Sequence, residues 1–133
     1  MNDRVSTADI PGIPAPYRPY YSNAVRVAAG DLLFISGQVA WDENGQLVGA
    51  GDGAAQSRQA FGNLGKILDA YGATFDDVVK VTVYVTDFSF FDELSALRQS
   101  LWRNGGPASA ILLVSGLVQP ELLVEVEAVA AIG

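Results

Sequence analysis

With 133 residues, half of them hydrophobic, and neither cysteine nor histidine, the chain is sized for one domain and has no disulfide, thiolate or imidazole chemistry. Serine–histidine–aspartate hydrolysis and histidine-ligated zinc are thereby excluded, no metal site is expected, and proton transfer falls to carboxylates, Tyr, Lys, backbone groups or water. Eight basic against fifteen acidic residues leave a net charge of −7, which repels phosphate backbones, so nucleic acid is not an expected partner. No apolar run reaches the roughly 18 residues of a membrane span. Residues 1–14 show neither the basic nor the apolar segment of a signal peptide. No membrane partner is therefore expected, and a cytoplasmic location is.

Residues 1–16 carry Pro11, Pro14 and Pro16 with little periodicity, which reads as an extended or mobile arm; residues 17–133 read as the single domain. Tyr17, Tyr20 and Tyr21 follow, either as amphipathic surface rings or as phenols at a pocket mouth. Ala24 to Ala28 and Leu32 to Ser36 predict a hairpin turning at Ala29-Gly30-Asp31. Ser36-Gly37-Gln38 closes the second strand, where glycine permits either a bulge or a close backbone approach. Asp42-Glu43-Asn44-Gly45 is a turn, and Trp41 before it reads as core or interface.

A helix is predicted over Asp52 to Tyr71. Phe61, Leu64, Leu68 and Tyr71 share one face, Asp52 caps the start and Gly72 stops the end. Val78 to Thr86 is the clearest strand, with Val79, Val81, Val83 and Val85 on one face and Lys80, Thr82 and Tyr84 on the other. A second helix is predicted from Ser89, paired with Asp92 as a capping box, to about Trp102, and Asn104-Gly105-Gly106-Pro107 breaks it. The stretch from Pro107 to Ala130 then reads as two apolar strands joined by a loop.

Along Leu123 to Ala130, Val124, Val126, Ala128 and Ala130 form an apolar face, while Leu123, Glu125, Glu127 and Val129 form the other. Glutamate is a poor strand residue and neighbouring carboxylates repel. Either both glutamates face water, or one lines a cleft and does acid–base work. The whole is an α+β sheet with two helices. Two helices cover one face only, yet Leu32 to Ile35 and Ile111 to Val114 are apolar on both, so the open face is expected to bury itself against other copies of the chain.

The order of elements, the Ser36-Gly37-Gln38 strand end, the helix from Asp52 to Gly72, the run VVKVTVYVTD from Val78 and the ending VEVEAVA from Val124 together resemble the Rid (reactive intermediate deaminase, YjgF-like) family from about Tyr21 onward. The resemblance implies a chorismate-mutase-like α+β subunit in a homotrimer, with helices outside, sheets lining a central barrel and small-molecule clefts between subunits. The implied activity is hydrolysis of enamines and imines, such as 2-aminoacrylate released by pyridoxal-phosphate enzymes, to a 2-keto acid and ammonia without cofactor or metal. In such sites an arginine clamps the substrate carboxylate and a glutamate of the last strand handles water.

Carried over residue by residue, the resemblance makes Glu125 the catalytic, water-handling glutamate. It makes Tyr21, Ser36, Gly37, Ser95 and Ser109 the substrate-binding positions. Ser109 is also the departure: Pro107-Ala108-Ser109-Ala110 stands where the family has Pro-Ala-Arg-Ser. Serine cannot form a bidentate clamp, and hydrogen bonds to charged groups contribute about 1.5–3 kcal/mol each. Altered substrate preference follows, and Arg18, close in sequence to Tyr21, is the residue considered as a substitute. A non-catalytic, metabolite-binding trimer is the alternative, and ribonuclease activity is disfavoured by the acidic charge.

Overall fold

A computed structural model of the chain describes residues 2–103 and 105–133, so Asn104, read above as part of the helix break, lies outside the described residues. In chain order the elements are β1 (Val5–Ser6), β2 (Arg26–Val27), β3 (Asp31–Gln38), α1 (Gly53–Ala70), a 3-10 turn (Phe75–Asp77), β4 (Val78–Val85), α2 (Phe91–Leu101), β5 (Ala108–Leu113) and β6 (Val124–Ile132). β3, β6, β4 and β5 lie side by side in that order. β6 runs antiparallel to both its neighbours, and β4 and β5 are parallel. Parallel neighbours need a crossover, which α2 supplies. The fold is the expected α+β arrangement of one mixed sheet and two helices.

Alternation in β6 is as its sequence requires. Val124, Val126 and Ala130 are fully buried, and Ala128 nearly so, while Leu123, Glu125, Glu127 and Val129 stay partly exposed. Val81, Val83 and Val85 of β4 join the same core with Phe61, Leu64 and Leu68 of α1 and Leu94 of α2. Tyr71, expected on the buried face of α1, is instead 58% exposed, because the helix has ended and Tyr71 is its C-cap residue. Gly72 follows at φ +68, where a side chain would be strained.

Asp52 caps α1 as predicted, accepting a 3.0 Å hydrogen bond from Ala55 N. Asp52→Ala is expected to lower stability by about 1 kcal/mol, read as an earlier urea midpoint with an unchanged slope. The predicted Ser89–Asp92 box at α2 does not form. Phe90 is the N-cap residue without a side-chain bond, and Ser89 N donates to Asp87 Oδ1 at 2.8 Å. A carboxylate two residues away captures the serine locally before the helix begins. These bonds to Ser89 hold Asp87 below the usual carboxylate range.

The predicted hairpin between residues 24–28 and 32–36 is also corrected. β2 pairs with β1, Val27 opposite Val5, and β3 pairs with β6. The intervening carbonyls of Ala28 and Asp31 accept from the Arg4 guanidinium, which also reaches Ile132 O. A side chain thus satisfies backbone groups that a hairpin would have paired.

One sheet face is left uncovered in the single chain. Phe34 is 74% exposed, Leu32 46% and Leu112 42%. Phe34 pairs with Val129, and Leu112 and Glu125 each pair with Tyr84. Strand alternation therefore puts Phe34, Val129, Glu125, Tyr84 and Leu112 on one side, away from the helices.

Candidate active site

Glu125 lies on β6, an inner strand with β3 on one side and β4 on the other. Its entry is pinned by Gln56 of α1, a buried polar residue. Gln56 Nε2 donates to Gly49 O at 3.1 Å and Glu121 O at 2.9 Å, while its Oε1 accepts from Leu123 N at 2.8 Å. The Glu125 carboxylate lies against Gly37, at a register shift between Ile35 and Gln38 of β3. Any Cβ on Gly37 would run into that carboxylate. Glycine at the strand end is thus explained by a close approach, and the group approaching is Glu125 itself.

Burial, and secondarily the charge of Glu127, raises the Glu125 carboxyl above the ordinary glutamate range. Glu127, on the same face, accepts a 2.5 Å hydrogen bond from the Tyr84 hydroxyl. That bond, with burial and the charges of both glutamates, pushes the phenol upward and keeps it a donor. Ser36, exposed on this face, lines a shallow depression with Phe34, Lys80, Thr82 and Glu127. Ser36, Gly37 and Glu125 are thus assembled on the open face.

Ser109 lies elsewhere. It pairs with Val81, whereas Glu125 pairs with Tyr84, so alternation sends the two side chains to opposite faces. Ser109 belongs to a second cluster on the helix side. Arg98 Nη2 of α2 donates to Ser109 Oγ at 2.6 Å. The same guanidinium sits 4.7 Å from the ring centroid of Tyr20, and the Tyr20 hydroxyl shares a 2.9 Å hydrogen bond with Ser95 Oγ. Ser22 N donates to Pro107 O at 3.0 Å, which lays the Tyr20–Ser22 segment alongside the start of β5. Tyr21 meets Tyr20 edge-on at 6.2 Å, and its hydroxyl accepts from Tyr17 N at 2.7 Å.

Two members of this cluster, Ser95 and Ser109, were expected from sequence; Arg98 and Tyr20 were not. Arg98 is only 3% exposed, and burial lowers its ionisation from the ordinary arginine value while Tyr20 and Tyr21 raise it. The available signal was its place three residues after Ser95 and four after Leu94, on the core stripe of α2. Arg18, the substitute considered above, packs over Phe91 at 5.5 Å and Tyr17 at 5.3 Å. The guanidinium beside Ser109 is that of Arg98. Among the described residues, no helix is long and apolar enough to cross a membrane.

Comparison with known proteins agrees with this architecture. Residues 13–132 match the family described as Endoribonuclease L-PSP. Human 2-iminobutanoate/2-iminopropanoate deaminase is 38% identical over 130 residues, covering 97% of this chain and 89% of that protein. A RutC family protein of Pyrococcus horikoshii is 38% identical over 118 residues, covering 88% and 90% respectively. The crystal structure of a Rid-family protein of unknown function from Yersinia pestis superposes with a TM-score of 0.88 at 35% identity, covering 97% of this chain and 99% of that one. The chain belongs to the Rid (YjgF-like) family, the Endoribonuclease L-PSP proteins.

Proposed function

We propose that this chain is a hydrolytic deaminase of imines or enamines, working in clefts between the subunits of a homotrimer. Water adds to the C=N carbon, the C–N bond of the resulting carbinolamine breaks, and a carbonyl compound and ammonia leave. An enamine first takes a proton on carbon to become the imine. Neither step changes oxidation state, so water is the only co-reactant required.

The observation that carries this reading is Glu125. A half-buried carboxylate on an inner strand, backed by Gly37 and raised by burial and Glu127, is closer to the operating pH than a free glutamate and so better matched to moving protons to and from water. The relatives named as imine deaminases support the same chemistry. The trimer is supported by the geometry of the single chain: the Glu125 and Ser109 groups occupy opposite sheet faces, so one ligand meets both only where one copy's edge abuts another's open face. The uncovered apolar residues of that face are the surface such an assembly would bury.

Substrate preference is altered by Ser109, which offers one hydroxyl in place of a two-pronged arginine. The test is turnover of a panel of freshly generated imines and enamines, followed by ammonia release. Release faster than the buffer rate for at least one member is expected, and none across the panel would overturn the reading. Ser109 also favours a second possibility, a trimer that holds a metabolite without converting it. Its mark would be a ligand that raises the melting temperature and is recovered unchanged.

A further inference from the structure

Tyr84 of β4 stands directly across from Glu125, yet its hydroxyl donates to the next glutamate along, Glu127 Oε1, at 2.5 Å. The contact is a diagonal one, since the residue opposite Glu127 is Thr82. Two carboxylates on one strand face are thereby treated differently. Glu127 has a donor fixed to it, while Glu125 has the Gly37 backbone at its side. Glu127 has a second diagonal neighbour, Lys80, which is opposite Val129 and lines the shallow depression with it. Lys80 is thus on the far side of Glu127 from Glu125.

The two diagonals pull the Glu127 charge in opposite directions along β6. Turned toward Lys80, the carboxylate would meet a cation and withdraw from Glu125. Held by Tyr84, it stays on the Glu125 side, and that is the arrangement observed. Like charges kept close disfavour ionisation of the neighbour, and Glu127 is the second cause, after burial, of the raised Glu125 carboxyl. The adjoining strands bring uncharged side chains to this part of the face, Phe34 and Ser36 from β3 and Ala110 and Leu112 from β5. Lys80, Tyr84 and the two glutamates are therefore the ionisable groups that the sheet sets around the site.

We infer that Tyr84 is a positioning residue for proton transfer at Glu125: its hydroxyl anchors the Glu127 carboxylate beside Glu125 and keeps it from turning to Lys80. Tyr84 touches no reacting atom. In the addition step the Glu125 carboxylate accepts a proton from water as the water oxygen bonds to carbon. It returns that proton to the nitrogen, which has gained the C=N electron pair. In the collapse step it carries the hydroxyl proton to the departing nitrogen in the same way. A negative charge fixed beside Glu125 makes it the stronger acceptor in both steps. The inference rests on the hydrolase reading for the task of Glu125, whereas the coupling of the three side chains is measured without it.

The test reads Glu125 directly. Intact protein carrying glutamate labelled with carbon-13 at the side-chain carboxyl is titrated by NMR, the Glu125 resonance being the one absent from Glu125→Gln. The midpoint in Tyr84→Phe is expected below that of wild type, in the direction of Glu127→Gln and by no more than that variant. In the double variant Tyr84→Phe with Glu127→Gln, the midpoint should match that of Glu127→Gln alone, because Tyr84 acts through Glu127. A merely structural Tyr84 predicts an earlier melt for Tyr84→Phe with the Glu125 midpoint in place, and that result overturns the proposal. So does a midpoint that moves upward, or a shift that persists in the Glu127→Gln background. Imine turnover is followed alongside, and its acid limb should move with the resonance. A moved midpoint in a protein without turnover sinks the hydrolase reading and leaves the coupling standing; turnover with an unmoved midpoint does the opposite.

Discussion

Replacing Glu125 with glutamine is expected to lower imine turnover by about 10²–10⁴-fold, the range ascribed to one positioned acid–base group, with little change in melting temperature. Glutamine keeps the shape that rests against Gly37 but cannot exchange a proton with water. A structural Glu125 would give the opposite pattern, unchanged turnover with altered stability. The pH profile supplies a second signature. Glu125 must be ionised to accept a proton, and its carboxyl is raised by burial and by Glu127. Activity should therefore fall as pH drops through a value above the ordinary glutamate range. Glu127→Gln removes one of the two causes, so the acid limb should move to lower pH. An acid limb that stays in place in Glu127→Gln would mean that the observed titration is not that of Glu125.

Phe34→Asp is expected to dissociate the proposed trimer and take the proposed imine turnover with it. Phe34 is 74% exposed in the single chain, beside Leu32 at 46% and across the sheet from Leu112 at 42%. Covering such a residue contributes about 1.5–3 kcal/mol per copy, and the substituted carboxylate would have to be desolvated in an apolar contact near Glu125 and Glu127. Since Phe34 is exposed and not part of the buried core of its own chain, the monomer should keep its circular dichroism. Light scattering would read a fall from the mass of the proposed trimer to the monomer mass. Turnover should fall in parallel, because the Glu125 group and the Ser109 group lie on opposite faces and need a second copy to meet. A Phe34→Asp protein of unchanged mass and unchanged turnover would sink the assembly argument.

The two clusters differ in how far they could be read from the chain. The glutamate pair on an alternating apolar strand and the glycine at a strand end stood out through local signals, but the choice of Glu125 over Glu127 came with the family resemblance. Ser95 and Ser109 came only with the family resemblance. Arg98 was missed because an arginine on a helix stripe reads the same in sequence whether it faces water or lies beneath a strand. Its 3% exposure depends on where β5 and the Tyr20–Ser22 segment come to rest.

The same division holds for the fold. Both helices, the Asp52 cap, the β4 and β6 alternation and the uncovered apolar face follow from interactions within a few residues, and the sequence alone determined them. Tertiary structure decided which strands pair: β2 took β1 and left the predicted hairpin unmade, because Arg4, 24 residues from Ala28, satisfied the backbone there. It also decided that the cation beside Ser109 comes from α2 rather than from the arm. Periodicity and capping are short-range physics, whereas backbone pairing and the burial of a charge are settled among groups far apart in sequence, whose competition no local pattern records.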